Sequence, residues 1–204
     1  MTISHCMSVF PGSPAPTFVS WAKFGIHGYD SEAIFMSTHT GTHVDAPSHF
    51  APKMASIDKI SPRRFVSSAL LIKISKRANQ LIEVEDIRHK DEAISEDDTL
   101  LFMTGWEKRA SSKNYMTENP GLSADAAKYI VSKKVNAVAI DGPSIDAGFD
   151  NRFPAHNILL PANILAVENL CNVNKIPKER FTLAICPLKI RNATGSPIRA
   201  VAII

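Results

Sequence analysis

The segment from Thr38 to Phe50 reads THTGTHVDAPSHF and places three histidines within eleven residues. A helix would put His39 and His43 on one face, but β-branched residues and a central glycine make a helix a poor interpretation. In an extended chain, alternation puts His39, Gly41, His43 and Asp45 on one face. The segment therefore predicts two imidazoles and a carboxylate that point the same way.

The spacing of these side chains restricts the path of the backbone. A straight strand would separate His39 from His43 by about 13 Å, at roughly 3.3 Å per residue. If both bind one metal ion, the chain must curl near Gly41, which glycine permits. Pro47 then ends the strand, and His49 returns toward the same place. Imidazole and carboxylate ligands suit zinc or manganese. The alternative is a half-buried strand whose histidines alternate by chance.

The rest of the chain reads as short elements joined by turns. Residues 123–134 predict a helix with Ser123 as its N-cap, and a shorter helix is expected from about 155 to 160. Near-continuous apolar strands with few helices between them predict an α/β fold with a mixed sheet, as a single domain over residues 1–204. Six aliphatic segments predict these strands: 69–74, 99–103, 135–140, 164–167, 181–185 and 199–204.

The composition excludes several classes of protein. The chain has 204 residues, of which 45% are hydrophobic and 21% charged, so it can bury a core. A net charge of +3 without long basic runs argues against nucleic acid and membrane partners. Residues 1–10 lack the pattern of a signal peptide. The three cysteines predict no disulfide framework and a cytoplasmic location, with Cys171 and Cys186 as buried small hydrophobic residues.

Five further motifs accompany the histidine segment, in order along the chain. They are Phe10-Pro11-Gly12, Thr104-Gly105-Trp106, DGPSID at 141–146, His156 with VENL at 167–170, and GSPIRA at 195–200. Together the six segments resemble the metal-dependent cyclase-like hydrolase family, which includes bacterial kynurenine formamidases and isatin hydrolase. The resemblance covers nearly the whole chain and implies the family's swivelling β/β/α fold.

The resemblance also implies a set of metal ligands. His39, His43 and Asp45 would hold a first metal ion. A second ion would share Asp45 and add His156 and Glu168, so that Asp45 and Glu168 bridge the two. Without the resemblance, His156 and Glu168 would be interpreted as solvated residues at a helix start and a strand end. The expected cofactor is Zn²⁺, one or two ions per chain, with Mn²⁺ as the alternative.

The resemblance assigns His49 as the proton donor and acceptor of an amide hydrolysis. A bound zinc ion lowers the pKa of its water to about 7, which supplies hydroxide at neutral pH. The expected small-molecule substrate is an aryl formamide such as N-formylkynurenine, an intermediate of tryptophan catabolism. Phe10 stands where the formamidases have a substrate-contacting tryptophan, and it could stack on an aromatic ring.

Other interpretations remain open at this point. The chain could hydrolyse a cyclic amide, as isatin hydrolase does, or it could bind metal without turnover. A structural zinc site is a further possibility, although such sites close all four positions with protein ligands. Asp141 and Asp146 are expected to cap a turn, whereas Trp106 could line the pocket or fill the core. Arg199 could pair with a buried acid or bind substrate.

The resemblance further predicts a homodimer or homotetramer. The region from 11 to 30 carries the aromatic residues Phe18, Trp21 and Phe24, which suggest either an assembly surface or a lid over the site.

Overall fold

Twelve strands and four α-helices follow one another along the 204 residues, all of which the computed structural model describes. The helices are α1 (Phe24–His27), α2 (Val84–Arg88), α3 (Ala124–Ser132) and α4 (Pro154–Leu159). The strands are β1 (Thr17–Ala22), β2 (Ser31–Phe35), β3 (His43–Asp45), β4 (Val66–Lys73), β5 (Leu81–Ile82), β6 (Thr99–Met103), β7 (Gly121–Leu122), β8 (Ala137–Ile140), β9 (Leu165–Glu168), β10 (Arg180–Ala184), β11 (Gly195–Pro197) and β12 (Val201–Ile203).

Eight of the strands form one mixed sheet in the order β11-β3-β9-β8-β6-β4-β10-β12. The four central strands, β9, β8, β6 and β4, run parallel to one another. The strands on both sides pair antiparallel, with β3 and β11 on one side and β10 and β12 on the other. This arrangement confirms the predicted mixed-sheet α/β class.

The central strands carry continuous apolar runs, such as 69–72 in β4, because both faces of the sheet are covered there. In β4, Leu70 and Ile72 face the helices and pack in one cluster with Ile130 of α3. The alternate residue Leu71 packs on the opposite face, in a second cluster with Phe181. The six predicted strands are all present, and β6 has the predicted bounds.

Both predicted helices form close to their expected bounds. The Ser123 hydroxyl accepts a hydrogen bond from the N–H of Ala126 at 3.2 Å, which confirms Ser123 as the N-cap of α3. Helix α4 begins at Pro154, which has no N–H to leave unpaired in the first turn. Between β8 and α4, the chain forms the turn that contains DGPSID.

Four residues singled out in the sequence have definite positions in the fold. Cys171 and Cys186 are exposed, so their interpretation as buried residues was wrong; both lie beyond the ends of the strands they follow. Trp106 is buried, and its Nε1–H donates to the carbonyl of Tyr115 at 2.9 Å, so it belongs to the core. Arg199 is exposed, forms no ion pair with a buried acid, and does not line the cavity described below.

None of the helices combines the length and the apolarity that crossing a bilayer requires.

Strands β1 and β2 form a separate antiparallel hairpin that pairs with no other strand. Sequence patterning missed this hairpin, because neither strand alternates between buried and exposed residues. Trp21 and Ile26 are 74% and 77% exposed. A two-stranded hairpin that is exposed on both faces is marginally stable in water on its own. Seven large apolar side chains are exposed on it and on the segment between its strands: Val19, Trp21, Phe24, Ile26, Tyr29, Ile34 and Phe35.

We propose that a second copy of this chain covers the hairpin, which would account for the homo-oligomer predicted from the sequence. The seven side chains leave several hundred Å² of apolar surface exposed, and each partner of a standard interface contributes about 800 Å². The double substitution Trp21→Ser and Phe24→Ser is expected to lower the mass in solution to that of one chain. Size-exclusion chromatography with light scattering measures this mass. Phe149→Ser, at another exposed phenylalanine, is the control. A single-chain mass for the wild-type protein would refute the proposal.

Candidate metal centre and the cavity around it

Sheet pairing brings the histidine segment against a distant carboxylate. Strand β9 ends at Glu168, and the antiparallel strand β3 begins at His43, so the two residues face each other across the pair. His43 Nε2 lies 3.4 Å from Glu168 Oε2. On the other side of β3, Asp45 is paired with Gly195 of β11. The site therefore lies at the edge where the parallel strands β8 and β9 have their carboxyl ends.

The backbone curls at Gly41, as the spacing of the histidines predicted. Gly41 has a φ of +67°, and the strand proper begins only at His43. His39 therefore turns back, and its Nδ1 lies 2.6 Å from Asp45 Oδ1. A side chain on Gly195 would place its Cβ 2.6 Å from His39 Cε1, so a glycine at this position leaves the space in which the imidazole lies.

A short 3₁₀ turn over Pro47–His49 follows β3, which confirms that Pro47 ends the strand. The turn brings His49 back onto the site. Its ring stacks on that of His39, with 4.0 Å between ring centroids and an angle of 24° between planes.

A second group of ligand atoms adjoins the first and shares Asp45. His156, on α4, has its Nε2 3.3 Å from Asp45 Oδ2 and 3.2 Å from Glu168 Oε1. Ligand atoms within each group lie within 4.8 Å of one another. The two groups are His39, His43 and Asp45, and Asp45, His156 and Glu168.

These donors fit a metal ion in chemistry, and all but the closer pair of His39 and Asp45 also fit one in spacing. Two ligands at about 2.1 Å from one ion, at a tetrahedral angle, lie about 3.4 Å apart. His43 Nε2 is 3.4 Å from Asp45 Oδ1, and the contacts of His156 with the two carboxylates are of similar length. All but His39 are buried. Imidazole and carboxylate suit both zinc and manganese, so the donor set leaves the metal open.

Hydrogen bonds on the outer side of each imidazole fix which nitrogen faces the carboxylates. The Nδ1–H of His43 donates to the carbonyl of Gly41 at 2.8 Å, which leaves Nε2 toward Asp45. Nε2 of His39 contacts the Thr194 hydroxyl at 2.9 Å, which leaves Nδ1 toward the same carboxylate. Such contacts orient metal-binding histidines and raise their basicity.

Asp146 orients the third imidazole. Its carboxylate lies 2.5 Å from His156 Nδ1 and accepts the main-chain N–H groups of Ala155 and His156 at the start of α4. The prediction that Asp146 caps a turn missed this contact. An acidic residue ahead of a helix that carries a ligand histidine was the available signal. Asp141 accepts hydrogen bonds from Thr104 and Gly105, which supports its structural interpretation.

The buried charges at the centre control one another. Burial opposes a positive charge on His43, but Asp45 and Glu168 outweigh it and raise the pKa from 6.5 to about 9. Burial likewise opposes ionisation of Glu168, but His156 and His43 outweigh it and lower the pKa from 4.5 to about 2. The facing histidines also hold the pKa of Asp45 well below its usual range despite burial. Without metal, protons therefore balance the two carboxylates.

His49 differs from the other three histidines of the site. Burial dominates there and lowers its pKa from 6.5 to about 4. Neither of its ring nitrogens is hydrogen-bonded to a protein group, whereas His39, His43 and His156 are all bonded. His49 is therefore a neutral imidazole at pH 7, and its ring nitrogens are free to accept a proton from a molecule bound in the site.

The residues of the two ligand groups, together with His49, line one cavity of about 420 Å³. This volume lies within the range of small-molecule sites. Phe10, the expected substrate contact, lines it and is 43% exposed. Sequence reasoning missed Phe50 and Phe153, which add two more aromatic rings to the wall. The cavity therefore combines a polar floor with an aromatic wall.

Asp146→Asn is expected to weaken metal binding by about tenfold to a hundredfold, because the amide cannot support His156 as a carboxylate does. Titration of Zn²⁺ against a competing chelator measures the dissociation constant. Asp150→Asn is the matched control, since Asp150 pairs with exposed Arg152. Equal affinity in Asp146→Asn and wild type would show that the contact does not support the ligand.

Metal binding is expected to release protons, since the metal-free site holds a proton on His43 that a metal must displace. The apparent affinity for Zn²⁺ should therefore rise with pH between 6.5 and about 9, the pKa of His43 in the folded chain. Calorimetry in buffers of different ionisation enthalpy counts the protons released. Affinity that stays flat across this window would contradict the charge balance described above.

The family model described as Putative cyclase matches residues 1–147. An isatin hydrolase of Roseibium aggregatum is 30% identical over 210 residues, which cover 88% of this chain and 79% of that protein. A kynurenine formamidase of Bacillus cereus is 28% identical over 206 residues, which cover 98% of this chain and 92% of that protein.

Solved structures agree with these sequence matches. Isatin hydrolase A from Labrenzia aggregata, bound to benzyl benzoate, is 27% identical and has a TM-score of 0.90. The match covers 99% of this chain and 90% of that one. A structure described as a potential metal-dependent hydrolase with cyclase activity is 26% identical, with a TM-score of 0.83 over 99% of this chain and 94% of its own. The predicted cyclase-like fold is confirmed.

Proposed function

We propose, from the fact that this chain belongs to the Putative cyclase family, that its substrate is an aryl formamide such as N-formylkynurenine. The chain is a metal-dependent amidohydrolase, in keeping with relatives that are named hydrolases. One observation carries the proposal: two ligand groups that share Asp45 lie in a cavity with an aromatic wall. The metal is proposed to be zinc, with manganese as the alternative.

His39, His43 and Asp45 would hold one metal ion, and Asp45, His156 and Glu168 would hold a second. When bound, the metal supplies Lewis acidity toward the substrate carbonyl and lowers the pKa of water at the site.

The residues around the ligands prepare the site before substrate arrives. Gly41, Thr194 and Asp146 each hold one imidazole in a fixed orientation, so little reorganisation is needed when a metal binds. Burial of the carboxylates keeps their charge from being screened by bulk water.

His49 is proposed to move the proton that amide hydrolysis requires. Its imidazole is neutral at pH 7 and can accept a proton from the attacking water at a ring nitrogen. The same nitrogen can then donate this proton to the departing amine. Stacking on His39 holds the ring in place without using either nitrogen. A protein that only binds metal would need no such free imidazole beside its ligands.

Hydrolysis of a cyclic amide is the second candidate, favoured by the similarity to proteins named isatin hydrolases. The same ligands and the same proton carrier would serve both reactions, because both cleave a C–N bond of an amide beside an aromatic ring. The two candidates differ in the fate of the fragments, since a ring opens into one product and a formamide gives two.

His49→Ala is expected to lower turnover of N-formylkynurenine by at least a hundredfold while leaving the metal content unchanged. The protein is stripped of metal, reloaded with Zn²⁺ or Mn²⁺, and assayed with N-formylkynurenine and with isatin. Mass spectrometry measures the bound metal in both forms.

His89→Ala, at an exposed histidine at the end of α2 and outside the cavity, is the control. Turnover of isatin alone would favour the second candidate. Bound metal without turnover of either compound would refute both substrates, and full activity in His49→Ala would refute the role of His49.

A further inference from the structure

Phe153 has a backbone conformation that suits its side chain poorly. Its φ and ψ are +51° and +55°, in the left-handed region, and Pro154 follows it. The other seven non-glycine residues with positive φ are five asparagines, Asp97 and Lys134. Asparagine enters this region at low cost, whereas a bulky aromatic residue there is strained, and a following proline restricts it further. Phenylalanine therefore stands where this chain elsewhere uses mainly asparagine.

Neighbouring groups hold Phe153 in this conformation. Its N–H donates to the carbonyl of Asp150 at 3.2 Å. Its carbonyl accepts a hydrogen bond from the Asn157 side chain at 2.9 Å, in addition to the main-chain N–H of the same residue. Strain that the surroundings maintain in this way concentrates at functional sites.

The position of the ring points to the reason for the strain. The Phe153 side chain is half-buried and belongs to neither apolar core cluster. Its ring lines the cavity, 6.1 Å from the ring of Phe10 and 6.2 Å from that of His156. Backbone preference argues against phenylalanine here, and core packing does not require it. The cavity is the remaining environment that an aromatic ring at this position serves.

The three phenylalanines of the wall do different things. The ring of Phe50 stacks on His156, with 4.7 Å between centroids and 27° between planes, so its face is occupied by a ligand histidine. Phe153 packs edge-on against Phe50 and lies beside Phe10, and the rings of Phe10 and Phe153 both line the cavity. An aromatic group of a bound substrate would meet these two rings.

We propose that Phe153 is a specificity-determining residue, which selects amides that carry a flat aromatic group over amides that carry an aliphatic one. The inference rests on the proposed function and adds to it the residue that recognises the aryl group. Offset or edge-on contacts between aromatic rings favour such a group beyond the area that it buries. The strained backbone of Phe153 keeps its ring against the cavity.

Matched compounds test the inference. Formanilide and N-cyclohexylformamide differ in the flatness of their ring, and kcat/KM is measured for both with metal-loaded protein. Phe153→Asn is expected to lower the preference for formanilide by about tenfold, mainly through KM. Its melting temperature should be no lower than that of the wild type, because asparagine relieves the backbone strain.

Calorimetry with benzamide and cyclohexanecarboxamide gives the same comparison without turnover. Phe149→Asn, at an exposed phenylalanine outside the cavity, is the control and should keep the aromatic preference. Phe153→Leu keeps apolar volume without a flat face, so it should lose the aromatic preference. If Phe153→Asn does not fold, this variant tests the inference in its place.

Failure of the proposed function and failure of this inference are distinguishable. If the wild-type protein turns over neither formamide, the proposed substrate class fails, and calorimetry still decides the role of Phe153. If the wild-type protein does not prefer benzamide, or if either variant keeps the preference, the inference is overturned.

Discussion

The carboxylate of Asp45, buried at the edge of the main sheet, lies close to three imidazoles from two distant parts of the chain. An isolated buried carboxylate is costly, because it loses its hydration without gaining a partner. The chain compensates by surrounding Asp45 with histidines, and Glu168 adds a second carboxylate to the same cluster. The segments around this cluster contribute imidazoles and hydrogen-bonding partners for them. At Gly195, the missing side chain leaves room for an imidazole ring.

The pairing of β3 with β9 makes this arrangement possible. Antiparallel register sets His43 opposite Glu168, and the addition of β11 sets Gly195 opposite Asp45. A glycine is needed at this last position because the His39 ring lies where a Cβ would project. His43, Asp45 and Glu168 thus lie on strands whose relative positions are fixed by main-chain hydrogen bonds, and His156 lies on α4. Only His39 and His49 lie on turns, and they stack on each other.

The turn between β8 and α4 contributes both to the metal ligands and to the cavity wall. The turn between β8 and α4 carries Asp146, which both starts the helix and orients His156. The first residue ahead of that helix is Phe153, whose backbone is strained and whose ring faces the cavity. A short segment therefore links the metal ligands to the aromatic wall. Changes in this turn would alter both the ligand geometry and the shape of the cavity.

The sequence by itself determined the α/β class, the six main strands, the helices α3 and α4, and the curl at Gly41. These follow from local physics: apolar runs, an N-cap serine, and a spacing of histidines that a straight strand cannot use. The roles of Phe50, Phe153, Thr194 and Gly195, and the hydrogen bond that the Nδ1–H of His156 donates to Asp146, were decided only by the tertiary structure. Their partners are set by strand order and by close approach between segments far apart in the chain, and no local pattern encodes such distances. The exposed hairpin escaped prediction for a related reason, since strands without a buried face lack the periodicity that marks a strand in sequence.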